Sequence, residues 1–213
     1  RGRIDEEFRQ FFLSFCDNNE VFLVTGSDYA KTEEQLGEEI CLAVDGIFNC
    51  AGNVYTKKGV EIYRNELVLT DRERKLLDDQ MKISSFIPRT GNHIEERPGL
   101  VNFSIVGRNA NQVQRKLYVL YDEETEERSL ICQRLNRNFD RLEAVVGGET
   151  GIDIFIKGKD KRQILDHVSR PLIFFGDKCM AGGNDYTLAL SSDLYYNVQD
   201  WKETFDILKE NYS

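Results

Sequence analysis

Apolar positions in the first part of the chain switch between two spacings. Ile4, Phe8, Phe11, Phe12 and Phe15 recur three and four residues apart, which predicts a helix over residues 4–16. Asp5, Glu6 and Glu7 fall in its first turn, where the helix dipole favours acids. Residues 21–24, Val-Phe-Leu-Val, form an unbroken apolar run that reads as a buried strand. Residues 29–44 predict a second helix and 46–48 a second short strand. Helix, strand, helix, strand at this spacing points to an α/β unit with a parallel sheet.

The pattern then changes. Residues 53–69 read as hairpin structure around Lys57-Lys58-Gly59, and 71–84 as a charged amphipathic helix. Residues 93–97 and 101–106 alternate as half-exposed antiparallel strands do. Residues 111–121 and 125–139 are helical, the second with Thr125 as its cap, and 142–146 and 152–156 are strand-like again. From Asp160 the α/β style returns. A helix over 161–168 precedes a strand over 172–175, read as buried on both faces, then a strand over 194–198 and a last helix from Trp201. The expected organisation is an α/β core, residues 1–62 and 155–213, interrupted by an α+β insertion, residues 63–154, of antiparallel sheet and helices.

Charge and cysteine usage narrow the classes of partner. Lysine plus arginine number 28 and aspartate plus glutamate 37, a net charge of −9, which argues against general nucleic-acid binding. An anion would have to be held by a local basic cluster. No apolar run approaches the roughly 20 residues that cross a bilayer, so no membrane partner is expected. Five scattered cysteines without a C-x-x-C pair read as a reduced, cytoplasmic protein, and two isolated histidines give no zinc site.

The chemistry gathers after the strand over 172–175. Gly176-Asp177-Lys178 and Gly182-Gly183-Asn184-Asp185 follow it directly, and ligands of open α/β sheets sit beyond the carboxyl ends of strands. Asp177 there suits a Mg²⁺ ion, which wants oxygen ligands; the plain alternative is an ordinary turn of solvated residues. Ser27 follows the strand over 21–24, and Lys161 opens the helix leading to the later strand. Both could donate to a phosphoryl group, although Ser27 also reads as a helix cap and Lys161 as one surface lysine among several. In the insertion Arg97, Arg108 and Arg115 form an arginine cluster whose planar forks suit phosphate. The alternative is exposed charge balancing Glu95 and Glu96. Asp153, near Gly147-Gly148, could accept from sugar hydroxyls.

These segments, with Gly26-Ser27-Asp28, Glu34-Gln35-Leu36-Gly37, Gly107-Arg108, Asp153-Ile154-Phe155 and Asp160-Lys161-Arg162, recur in the same order in one family. Over nearly its whole length the sequence resembles eukaryotic-type phosphomannomutases, which belong to the haloacid-dehalogenase superfamily. The resemblance implies a Rossmannoid core with an inserted cap, and Mg²⁺-dependent interconversion of mannose 6-phosphate and mannose 1-phosphate. The phosphoryl group would pass through an aspartyl-phosphate primed by a hexose 1,6-bisphosphate. Carried over by motif, Ser27 and Lys161 hold the phosphoryl group, and Asp177 ligates Mg²⁺ with Asn184 and Asp185 in support. Arg1, Arg97, Arg108 and Arg115 bind the hexose phosphate, with Asp153 and the position of Gly151. A homodimer through the cap is implied as well.

The sequence departs from the family in places. The family's Asp-x-Asp-Gly-Thr motif, source of nucleophile and general acid/base, would lie just ahead of Arg1 and is expected upstream of this sequence. Gly151 stands where a serine is usual, Ala181 where a proline is usual, and Asn49-Cys50-Ala51-Gly52 where Pro-Glu-Asn-Gly is usual. These departures bear on which sugar is taken and on mutase against phosphatase activity. A sugar-phosphate phosphatase and a non-catalytic sugar-phosphate-binding homologue are the alternatives.

Overall fold

A computed structural model describes residues 4–212. The chain divides into two compact units, the second inserted in the first. The core unit runs to Asn65 and resumes over Lys161–Met180 and from Asp185, whereas Glu66–Asp160 and Ala181–Asn184 make up the cap unit. The divisions thus fall at 65/66 and 160/161, against 62/63 and 154/155 expected from the sequence. Gly183 belongs with the cap because it forms a parallel bridge with Val146.

The core begins with α1 (Glu6–Asn18), capped by the Asp5 carboxylate, which accepts from the Glu7 and Phe8 N–H groups. β1 (Phe22–Val24) leads into α2 (Tyr29–Leu36) and α3 (Glu38–Ala43). The single helix expected over 29–44 is therefore two. Gly37, at φ 87°, leaves the helical region and its N–H closes α2 on the Glu33 carbonyl. β2 (Gly46–Asn49) pairs parallel with β1. β3 (Val54–Lys57) and β4 (Val60–Arg64) add an antiparallel hairpin. Its two turn residues, Lys58 and Gly59, both have positive φ, as the tight primed turns require.

The cap opens with α4 (Asp71–Ile83), started by a reciprocal Thr70–Glu73 capping box. β5 (Ile94–Arg97), β6 (Leu100–Phe103), α5 (Gln112–Thr125), α6 (Glu127–Asn138), β7 (Leu142–Gly147) and β8 (Gly151–Ile156) follow. The strands form one antiparallel sheet in the order β5-β6-β8-β7. One face of this sheet, with Val101, Phe103, Ala144, Ile152 and Ile154, packs on Tyr118, Ile131 and Leu135 of the helices in a single buried cluster. Thr125 is not the cap of α6. Its hydroxyl donates back to the Tyr121 carbonyl at 2.7 Å, so it ends α5, and Glu126 in the left-handed region forms the corner.

The chain re-enters the core through a 3₁₀ helix, Lys161–Asp166, then β9 (Ile173–Gly176), α7 (Tyr186–Ser191), β10 (Leu194–Asn197) and α8 (Trp201–Asn211). β9 pairs parallel with β10 in a sheet of two, separate from the four strands β1 to β4. Burial of this strand on both faces is not what the structure shows, since Phe174 is buried but Ile173 is 37% exposed. β1 and β9 each have one edge without a strand partner among the described residues. Residues of both strands, with Phe8, Phe12 and Leu208, line an apolar cleft of about 540 Å³.

Candidate functional site

The core half of the site is built where β1 and β9 end. Thr25, just past β1, and Gly176-Asp177, at the end of β9, line one cavity of about 370 Å³ with Lys161, Asp185 and Asp200. Since both strands end there, they run in the same direction. The position matches the rule that open α/β sheets place ligands at carboxyl ends. Asp177 is exposed into this space.

Lys161 and Asp185 are the buried members. Lys161 is 7% and Asp185 2% exposed, and Nζ donates to Oδ1 at 2.5 Å. A buried charge pair of this kind persists because neither partner is left uncompensated. The second Asp185 oxygen accepts from the Lys178 N–H, and the Asp185 N–H donates to the Lys178 carbonyl, both at 3.2 Å, which closes the 178–185 loop. Gly176 lets this carboxylate come close: a Cβ there would sit 3.0 Å from Asp185 Cγ and 2.7 Å from the Phe174 ring. Lys161 is therefore an interior cation rather than one of a solvated run.

Ser27 sits in the turn after β1 and is not the cap of the next helix. That role belongs to Asp28, whose Oδ1 accepts from the Lys31 N–H at 2.8 Å. The Ser27 carbonyl accepts from the Cys50 N–H at 3.0 Å and from Asn49 Nδ2 at 3.2 Å. This ties Ser27 to a segment in which Cys50 and Ala51 both adopt left-handed φ, strain of the kind that collects at functional sites. Ser27 is not among the residues lining the 370 Å³ cavity, whereas Thr25 is.

The cap half lies on the sheet face opposite its apolar core. The strand register places Glu95, Asn102 and Asp153 side by side in one row across β5, β6 and β8. Glu95 gathers two arginines. Its Oε2 lies 3.0 Å from the Arg97 guanidinium and also contacts Arg108 Nε. Arg97 ends β5, and Arg108 lies beyond β6, in the loop after Gly107. Burial pulls the Arg108 pKa below its ordinary value, the charges of Arg97 and Arg115 act in the same sense, and Glu95 opposes them. Three guanidinium groups thus repel within reach of one another. Arg115, on α5, is held by the Ala110 carbonyl at 3.2 Å and by Glu149 at 3.5 Å. Such a cluster favours an incoming dianion.

Asp153 is 6% exposed. Its Oδ1 accepts from Asn102 Nδ2 at 2.8 Å and its Oδ2 from Asn184 Nδ2 at 3.3 Å. Asn184, assigned by motif to the metal, therefore bonds in the cap unit to the sugar-binding candidate. Gly147 and Gly151 flank this carboxylate and amide. Arg1 lies outside the described residues. Among those residues no cluster of three or more His, Cys, Asp or Glu is arranged to hold a metal. Asp177 and Asp185 supply an all-oxygen pair, which still fits Mg²⁺, an ion that keeps several waters and takes one or two carboxylates.

Thr25, Asp200, Glu95 and Asn102 were not singled out from the sequence. Thr25 and Asp200 each follow a predicted strand, a signal that was legible. Glu95 and Asn102 needed the strand register.

Comparison with known proteins agrees with this architecture. The chain is 15% identical to the sugar phosphatase BT4131, a subclass IIB member of the haloacid-dehalogenase (HAD) superfamily. The TM-score is 0.57 over 97% of this chain and 91% of that one. It superposes on an N-terminally truncated IMP-nucleotidase from Plasmodium falciparum with TM-score 0.65 and 14% identity, covering 97% of this chain but 64% of that one. These matches show the fold, a haloacid-dehalogenase-like core with an inserted cap. In sequence the chain is 30% identical to the phosphomannomutase of Saccharomyces cerevisiae over 223 residues, 99% of this chain and 88% of the relative. It is 36% identical to that of Galdieria sulphuraria over 198 residues, 88% and 79% of the two lengths. Residues 8–213 also match the profile of the eukaryotic phosphomannomutases, and with this agreement over nearly its whole length the chain belongs to that family.

Proposed function

We propose that the protein interconverts mannose 6-phosphate and mannose 1-phosphate by phosphoryl transfer through an aspartyl-phosphate, primed by a hexose 1,6-bisphosphate. The observation that carries this reading is the buried Lys161–Asp185 pair beside exposed Asp177, where β1 and β9 end. It offers a fixed cation for phosphoryl oxygens and carboxylates for a hard cation. Mg²⁺ at Asp177 and Asp185, with Asn184 in support, would neutralise charge on the transferred group.

The nucleophile is not among the described residues. The apolar cleft flanked by β1 and β9 has the shape and chemistry to take one further strand, and such a strand would end at the same cavity as Asp177 and Thr25. We place the attacking carboxylate there. It forms a bond to phosphorus while the bond from phosphorus to the sugar oxygen breaks, and that oxygen takes up a proton. The phosphoryl group then passes to the free hydroxyl of a bound hexose monophosphate, as that hydroxyl loses its proton and the carboxylate–phosphorus bond breaks, giving the 1,6-bisphosphate. The same attack on the other phosphate of the bisphosphate leaves the isomeric monophosphate. Lys161 and Ser27 hold the oxygens of the phosphoryl group, while Arg97, Arg108 and Arg115 bind the second phosphate, and Arg1, the Gly151 position and Asp153 bind the sugar. Charge repulsion among the arginines supports the phosphate role, and the two amide donors that orient Asp153 support the hydroxyl role.

Two further features belong to this reading. Val113, Leu117 and Leu120 recur along α5 at 67%, 49% and 63% exposure, an apolar stripe suited to a homodimer through the cap. Leu117→Glu should shift the sedimenting species from dimer to monomer. None of the five cysteines is in a disulfide, which supports a cytoplasmic setting; among the described residues no helix is long and apolar enough to cross a membrane.

The test is a coupled assay of the full-length protein with Mg²⁺ and mannose 1-phosphate. Mannose 6-phosphate should form, faster with added bisphosphate and not after chelation of the metal. Release of inorganic phosphate without isomerisation would select the phosphatase reading, and binding without turnover the non-catalytic one.

A further inference from the structure

The cap row contains an acceptor with no donor. Asn102 is 6% exposed, and its Oδ1 is buried without a hydrogen-bond partner among the described residues. The orientation of the amide is set by its neighbour. Nδ2 donates to Asp153 Oδ1 at 2.8 Å, and turning the amide over would point Oδ1 at a carboxylate oxygen. The amide lies in space that glycine leaves open: a Cβ at Gly151 would meet Asn102 Nδ2 at 2.5 Å and Oδ1 at 3.0 Å. Any side chain at 151 would have to displace it. A buried acceptor left without a donor carries a desolvation cost, so its retention points to a donor that arrives with a ligand.

The surroundings fix the class of that donor. On one side of Asn102 in the row lies Glu95, which collects Arg97 and Arg108, and on the other lies Asp153. A phosphate oxygen is itself an acceptor and would be repelled by Oδ1. A hydroxyl can donate to it, and a neighbouring hydroxyl of the same molecule can donate to Asp153. We infer that Asn102 is a specificity-determining residue of the cap site, its Oδ1 accepting from a sugar hydroxyl while its Nδ2 positions Asp153. The inference rests on the proposed sugar-phosphate function and deepens it: the ligand carries adjacent free hydroxyls within reach of a phosphate held by the arginines.

The experiment is calorimetric binding of mannose 1-phosphate, its monodeoxy analogues and inorganic phosphate to the full-length protein. In the wild type one deoxy analogue should bind about 10-fold more weakly than the parent sugar, the scale of one hydrogen bond. Asn102→Ala should weaken the parent by a similar factor and bind that analogue no worse than the parent. Its affinity for inorganic phosphate should stay within about twofold, because phosphate uses the arginines. Asn102→Ser, which keeps an oxygen acceptor, should recover part of the discrimination. Equal losses for every sugar on Asn102→Ala would mean that Oδ1 takes a bridging water, and would overturn the proposal. If the variants do not fold, the wild-type series still decides: an even series across all deoxy positions overturns it. A wild type that binds inorganic phosphate but no hexose phosphate overturns both this inference and the functional reading.

Discussion

The two units solve the problem of burying a sheet differently. In the cap, β5 with β6 and β7 with β8 are hairpins, and β8 then pairs with β6, so the whole antiparallel sheet comes from one stretch of chain. Its core residues Phe103, Ile131, Leu135, Leu142 and Ile154 are essentially inaccessible. In the core unit the parallel strands fall into two sheets, with an apolar cleft of about 540 Å³ lined by both. Antiparallel strands satisfy one another locally, whereas parallel strands need partners brought from elsewhere in sequence. The cap sheet is thus paired within one stretch of chain, whereas β1 and β9 each keep an edge without a strand partner among the described residues. Lys161, Asp177 and Asp185 line the cavity where these two strands end.

The comparison can be broken most directly at Lys161. Lys161→Met leaves the Asp185 carboxylate, 2% exposed, without its cation. A loss of about 3–5 kcal/mol is expected from an uncompensated buried charge. It should appear in the fluorescence of Trp201, the one tryptophan of the chain, which lies in the core unit. Amide exchange of β8 in the cap should be unchanged. Equal loss in both probes would mean that the units unfold as one and that the contrast has no energetic content. A matched pair of truncations is the next test. Leu135→Ala in the cap should cost about 2–5 kcal/mol, as for a fully buried leucine. Leu23→Ala should cost less, about 1 kcal/mol, because this residue already borders the open cleft. Similar costs measured in urea would show that the cleft is filled.

The two units also differ in what their sequence discloses. In the cap, period-two alternation and clean helical faces gave every element, because local pairing follows from local pattern. The corner at Glu126 was missed, since nothing in Thr125 tells a cap from a hydroxyl bonded back to Tyr121. In the core the apolar runs gave β1 and β9 but not their separation into two sheets, because which edges meet is a long-range property. The site divides in the same way. Lys161, Asp177, Asp185 and the arginines announce themselves as charge in a defined place. Glu95 reads as ordinary surface charge and Asn102 as an ordinary strand residue until the register sets them beside Arg97 and Asp153.

The finest contrast concerns acid. In the cap, burial pushes the Glu73 pKa up, but hydrogen bonds from Arg141 and Thr70 outweigh it and hold the carboxyl below its usual 4.5. Arg141 reaches both carboxylate oxygens, at 2.9 and 2.8 Å, and Glu73 also closes the capping box of α4. A pKa lower in the folded than in the unfolded state adds stability above the unfolded value and loses it as pH falls through the folded one. Acidification below about pH 4.5 should therefore loosen the cap by this contribution. Glu73→Gln keeps a side chain able to serve the capping box but removes the charge facing Arg141. At neutral pH it should cost about 0.5–1.5 kcal/mol, and the acid-dependent part of the loss should flatten. Exchange of β8 amides from pH 6 to pH 3.5, after correction for intrinsic rates, measures both. The variant should approach the wild type toward the low end, since protonation of Glu73 there removes from the wild type the charge that the substitution has already removed. A constant gap across the whole range would assign the effect to side-chain packing rather than to the ion pair.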